Sequence, residues 1–143
     1  VLYALADTVP PEIFIAGKLY EPSYISREFA LSYHRVIPET VYEITSVTPK
    51  ATRRFEKIGK VYSYRKIKQS AFAGYEIANQ SGLSFRIADV EKAFVDANYF
   101  RLRDGLKPLS RYNKEKINTA KALRYASLFG NKKFISIIKT TLK

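Results

Sequence analysis

The stretch LSFRIADVEKAFVDANYF (Leu83–Phe100) changes character half-way. Leu83 to Ile87 reads as a strand. After Asp89 the apolar residues Val90, Ala93, Phe94, Ala97 and Phe100 recur every three or four positions, the spacing of a helix with one buried face. Asp89 stands at the junction, where its carboxylate can accept an N–H of the first turn, and Glu91 lies where the helix dipole favours negative charge. A strand feeding a helix makes the fold class depend on what lies on either side.

Upstream the chain is mostly strand. Val41–Thr48 is β-branched and alternating. Thr52–Lys57 and Lys60–Ile67 flank Ile58-Gly59, a hairpin signal with glycine in the turn. A short strand runs from Gly74 to Ala78, and Asn79–Gly82 breaks the chain. Earlier still, Ser26 is an N-cap with Glu28 behind it, and Phe29, Ala30, Tyr33 and Ile37 recur at helical spacing until Pro38 closes the helix. Before that come a strand over Val1–Ala6, a Pro10-Pro11 linker that forbids helix, a short apolar segment, and a turn at Glu21–Ser23. Downstream, beyond Gly105 and Pro108, Asn113 caps a helix through Ile117, Ala120, Leu123, Ala126 and Leu128. Asn131 opens a last helix through Phe134, Ile135, Ile137, Ile138 and Leu142. One helix, a run of mostly antiparallel strands and about three further helices make an α+β fold.

The chain has 143 residues, 46% of them hydrophobic and 14% aromatic, enough for one domain with a real core. It has no cysteine, hence no disulfide, thiolate nucleophile or zinc knuckle, and with one histidine only carboxylates remain as metal ligands. No apolar run approaches the ~20 residues of a bilayer span, and no signal peptide is visible, so a cytoplasmic protein is expected. The chain lacks methionine even at position 1 and opens on Val-Leu-Tyr-Ala-Leu, which reads as the end of a strand in a longer protein. Its net charge of +12 is uneven: residues 101–143 carry twelve Lys/Arg against two Asp/Glu, whereas residues 1–48 carry three against six. That polarity suggests a polyanion partner, nucleic acid first; a lysine-rich solvated surface is the alternative.

Four features invite a chemical reading. His34 has serines, tyrosines and a glutamate nearby, but the chain has no G-x-S-x-G elbow. Ser32 and His34, two apart on a helix, point to different sides. A structural or interface histidine is expected. Asp89, Glu91, Lys92 and Asp96 invite a nuclease reading, with carboxylates holding a metal and lysine steadying hydroxide. Adjacent Glu91 and Lys92 on a helix diverge, however. Asp89 as a cap, Glu91 at the helix start and Lys92–Asp96 as an i,i+4 pair account for the same residues. PKATRRFEKIGKVYSYRKIK (Pro49–Lys68) holds eight Lys/Arg against one acid. Its ribbon residues Arg53, Arg54, Lys57, Lys60 and Arg65 are candidates for nucleic-acid contact, or else a solvated face over buried aromatics. The fourth feature is a lack: there is no P-loop and no G-x-G-x-x-G, so no nucleotide cofactor is expected.

LYEPSYISREFALSYHRVIPE (Leu19–Glu39) resembles the hallmark of AbiEi-like antitoxins, an abortive-infection, type IV family. SVTPKATRRFEKIGKVYSYRKIK (Ser46–Lys68), FAGY (Phe72–Tyr75) and RIADVEKAFVD (Arg86–Asp96) resemble that family's later segments in the same order, so the resemblance covers about Ala16 to Leu142. Arg35 stands where the family often has glycine, and Asp89-Val90 replaces a common Thr-Pro. The resemblance implies that residues 1–15 are the final wing strand and linker of a winged helix-turn-helix domain and that residues 16–143 are the antitoxin domain. It further implies that the parent opposes a nucleotidyltransferase-like toxin without a stable complex. The parent would repress its own operon through operator DNA, bound mainly by the winged domain. No catalysis, cofactor, metal or membrane is implied. Tyr24, Ser26, Tyr33, His34, Glu91 and Lys92 are the antitoxicity candidates. A degenerate nuclease or phosphotransfer domain using Asp89, Glu91, Lys92 and Asp96 is the competing expectation.

Overall fold

Pro11 opens the first helix of the computed structural model, which describes residues 11–143. Helix α1 (Pro11–Leu19) starts on that proline and buries Ile13 and Ala16. Proline at the first helical position loses nothing, because its missing N–H has no intrahelical partner there and its φ suits a helix. The expectation that the proline pair forbids helix is thus overturned at Pro11, and the linker expected up to residue 15 is helix from Pro11 onward. The strand expected over Val1–Ala6, like the rest of residues 1–10, lies outside the described residues.

Strand β1 (Tyr24–Ile25) leads directly into α2 (Arg27–Tyr33), and β2 (Ile44–Thr48), β3 (Arg53–Lys57), β4 (Lys60–Lys66), β5 (Tyr75–Gln80) and β6 (Leu83–Ala88) follow. Helix α3 (Val90–Arg103) comes next, then α4 (Thr119–Ser127) and α5 (Lys132–Thr141). The expected helix from Ser26 to Pro38 stops at Tyr33. Arg35 takes a left-handed φ of 60°, with Val36 N donating to Leu31 O at 2.8 Å and Arg35 N to Ser32 O at 3.0 Å. That is a Schellman stop, which frees Val36 and Ile37 to turn into the core. Strand β2 likewise begins at Ile44, three residues later than Val41. Asn113 caps only a single 3-10 turn, Lys114–Lys116. Ile117 is extended and buried, and the helix restarts at Asn118, whose side chain accepts from Lys121 N at 2.9 Å. The caps read at Asp89 and Asn131 are present, accepting from Lys92 N and Phe134 N.

The described strands form one sheet in the order β3-β4-β2-β1-β6-β5. Both tight hairpins have positive φ at their two central residues, Ile58-Gly59 and Ser81-Gly82, the turn whose twist matches the strands it joins. The sheet is mixed, not mostly antiparallel: β2 with β4 and β1 with β6 are parallel. The expectation assumed that successive strands are neighbours. Instead β3 is placed on the outside, and β4 returns between it and β2, running alongside β2. Strand β1, only two residues long, joins the two halves through Tyr24 opposite Val47 and Ile25 beside Ile87.

Helix α1 lies on one face, where Tyr64 OH donates to Ala16 O at 2.5 Å and Phe14 meets Phe85 edge-on at 5.5 Å. Helix α3 lies on the other, against Tyr24, with α4 and α5 packed on it. Among the described residues no helix is long and apolar enough to cross a membrane.

Candidate functional site

Tyr24 in β1 and Ser26, the extended residue that follows it, flank Ile25, so both turn towards α3 while Ile25 turns away. What they meet is the polar edge of that helix. Lys92 and Asp96, one turn apart, are each 0% exposed, with Nζ 2.6 Å from the Asp96 carboxylate. Tyr24 OH donates to the other Asp96 oxygen at 3.0 Å, Ser26 Oγ donates to the same oxygen at 2.7 Å, and Lys92 Nζ donates to Tyr24 OH at 2.7 Å. Every group in this knot has a partner, which is the condition under which a buried ion pair is tolerated. Burial pushes the Asp96 carboxyl up, against the pull of the Lys92 ammonium and the two hydroxyls. Burial, and then the Asp96 charge, hold the Tyr24 hydroxyl far above its ordinary value.

The segment Phe72–Tyr75 closes the knot from above. Tyr75 stacks on Tyr24 at 4.8 Å and Phe72 lies 5.1 Å from it. Gly74 has φ +82°, and a Cβ there would come within 2.8 Å of Lys92 Cγ. The backbone passes so close to the lysine stem that only glycine fits.

A second polar cluster ties the start of α3 to α4. The Asp89 carboxylate caps Lys92 N at 2.8 Å, accepts from Tyr125 OH at 2.6 Å and pairs with Lys121 at 3.2 Å. Glu91 accepts from Asn118 N at 2.9 Å and pairs with Lys121 at 3.4 Å. Lys121 is raised in pKa, by the Asp89 hydrogen bond first, and Tyr125 is raised by burial and then by the same carboxylate.

His34 belongs to neither cluster. Its Nε2 donates to Ala88 O at 2.8 Å and its carbonyl accepts from Lys116 at 3.0 Å, so it clasps the end of α2 to the end of β6. Tyr33 sits beside it, partly exposed, edge-on to His34 and Phe85. Of the six antitoxicity candidates, Tyr24, Ser26 and Lys92 converge, Glu91 joins the second cluster, and Tyr33 and His34 lie apart. Asp96, read as one half of a local pair, proves to be the centre.

The basic ribbon is divided. Cross-strand partners share a face, and Arg53 lies opposite Tyr64, Phe55 opposite Tyr62, and Lys57 opposite Lys60. Arg53, Lys57 and Lys60 are therefore on the α1 face, where Lys60 pairs with Glu12 at 3.5 Å. Arg54 and Arg65 are on the α3 face. Arg54 pairs with Glu56 at 3.4 Å, and Arg65 grips both Asp104 oxygens at 2.7 and 3.1 Å. The five do not form one binding surface. Sequence reading also missed Arg27, which carries a left-handed φ of 62° and a buried Nε without a hydrogen-bond partner. Burial lowers its pKa, and the Arg65 charge works in the same direction. No sequence signal marks it.

Neither a protein-family model nor a characterised protein matches this chain.

Proposed function

We propose that the chain is the antitoxin domain of a type IV abortive-infection system, acting in the cytoplasm against a nucleotidyltransferase toxin, from a parent that represses its own operon on DNA. One observation carries the reading. Residues from three of the four resembling segments meet in the buried knot: Tyr24 and Ser26 from the first, Gly74 and Tyr75 from the third, and Lys92 and Asp96 from the fourth. Tyr24 reaches Asp96 across 72 positions of sequence. Short strings alike by chance have no reason to converge in space, so the convergence supports a resemblance that extends over one folded unit.

The competing reading, a nuclease or phosphotransfer centre on Asp89, Glu91, Lys92 and Asp96, needs the lysine and a carboxylate within reach of substrate. Lys92 and Asp96 are sealed and paired with each other, and Asp89 and Glu91 are engaged in capping and ion pairing with α4.

Growth rescue tests the proposal. Cells expressing the toxin encoded beside the parent gene receive the parent or residues 1–143. Rescue by the chain supports antitoxicity within it. Rescue by the parent alone moves antitoxicity outside these residues, and failure of both overturns the reading.

A further inference from the structure

We propose that the cleft between the end of β4 and the last turns of α3 seats the phosphodiester backbone of a nucleic acid, bound without regard to sequence. The cleft, about 350 Å³, is lined by Arg65, Lys66 and Lys68 from one side and Arg103 from the other, over Tyr99 and Phe100. Arg65 and Lys68 thus face Arg103 across it, while Lys66, two residues on from Tyr64 in β4, alternates onto the α1 face and lines only the edge. Asp104, held by Arg65, is the carboxylate among them, and its own pKa is depressed by that hydrogen bond. Lys68 Nζ donates to Phe129 O at 2.7 Å, and among the described residues neither Lys68 nor Arg103 has a carboxylate partner.

The aromatic floor fixes the guanidinium groups. Arg65 lies 4.6 Å from the Phe100 centroid and Arg27 5.6 Å from it. Arg103 lies 5.6 Å from the Tyr99 centroid and donates to Tyr99 OH at 3.0 Å. A guanidinium laid on a ring has lost much of its rotamer freedom before any ligand arrives, and its planar fork matches a phosphate. Three such groups around two rings also repel one another, and an entering anion relieves that repulsion.

The same geometry selects the part of the ligand that is bound. Phe129 stacks on Tyr99 at 4.2 Å, and guanidinium groups cover Phe100 and Tyr99. Those faces are therefore not open for a base to stack on, and the guanidinium and ammonium groups of the lining match phosphate oxygens. Backbone contact without base contact is position-fixing and sequence-independent. An open cleft also suits a strand passing through better than a nucleotide that must be enclosed. The proposal stands on the cleft and not on the antitoxin reading, which growth rescue tests separately.

Fluorescence anisotropy of the intact chain with labelled single-stranded and duplex oligonucleotides of unrelated sequence provides the test, with ATP and inorganic phosphate as competitors. Lys68→Glu and Arg103→Glu are expected to weaken binding by about tenfold or more each, and charge removal at either to lower the salt slope by about one. Lys57→Glu, on the opposite face of the hairpin, is expected to change affinity less than about twofold. Where Arg103→Glu lowers the melting point, Arg103→Gln carries the same test. Equal loss from Lys57→Glu, or no loss from the cleft variants, overturns the proposal. Binding of ATP as tight as that of the oligonucleotide, lost in the same variants, gives the cleft to a free nucleotide and overturns its assignment to nucleic acid.

Discussion

Arg35 holds a backbone conformation that glycine adopts freely and that costs an L-residue about 1–2 kcal/mol. Its side chain is exposed and it stands at the left-handed position of the Schellman stop of α2. Arg35→Gly is expected to stabilise the fold by about 0.5–1 kcal/mol, since the greater freedom of glycine in the unfolded chain offsets part of the relief. A urea midpoint that fell instead would mean that the arginine makes a favourable contact outweighing its strain. Gly74 and Gly82 form a matched pair for the opposite change. Both have φ near +80°, but a Cβ on Gly82 meets nothing within 4 Å, whereas one on Gly74 meets the Lys92 stem. Gly82→Ala should cost about 1 kcal/mol in backbone strain, and Gly74→Ala a further 1–3 kcal/mol for overpacking. Equal losses would remove the close approach from the account.

At the scale of the element, α3 is the part that sequence reading saw best and understood least. Its cap, its apolar positions and its i,i+4 pair were all legible, because each is a local pattern. That the pair is buried was not legible: Lys92 and Asp96 look like the wet side of an amphipathic helix until β1 places two hydroxyls against them. The groups that complete the knot are about 70 positions away, beyond any local signal. Local signals mislead elsewhere: the proline pair before α1 reads as a helix breaker, and Asn113 reads as the cap of a long helix although it caps one 3-10 turn and α4 starts after Asn118. Removing Lys92 strands a buried carboxylate, so Lys92→Ala should cost about 3–5 kcal/mol. Combining it with Asp96→Ala should cost less than the two single changes summed, by about 1–3 kcal/mol. Denaturant titration of the four proteins checks this. Lys92→Ala that abolished toxin neutralisation with an unchanged midpoint would favour the enzymatic alternative.

Across the whole molecule the tyrosines set the pH limit. Tyr24, Tyr62, Tyr64, Tyr112 and Tyr125 are all raised above their ordinary value of 10.0, each chiefly by burial. A group whose folded pKa is raised contributes stability that is complete below its unfolded value and is lost as pH rises through the folded one. Unfolding free energy should therefore hold up to about pH 10 and fall above it. The phenolate absorbance of these five rings should rise together with the loss of circular dichroism, because they ionise as the chain opens. Ionisation of all eleven tyrosines at the ordinary value with the fold intact would contradict the burial described. The sheet is itself two ladders, β3–β4–β2 and β6–β5, sewn together by the two residues of β1. A seam this short makes the β5–β6 hairpin, whose outer strand is largely exposed, a unit that can lift as one piece. In native-state deuterium exchange its amides should share one opening free energy, below that of β2 and β4, and denaturant should reveal two steps of protection in what backbone pairing alone presents as a single sheet.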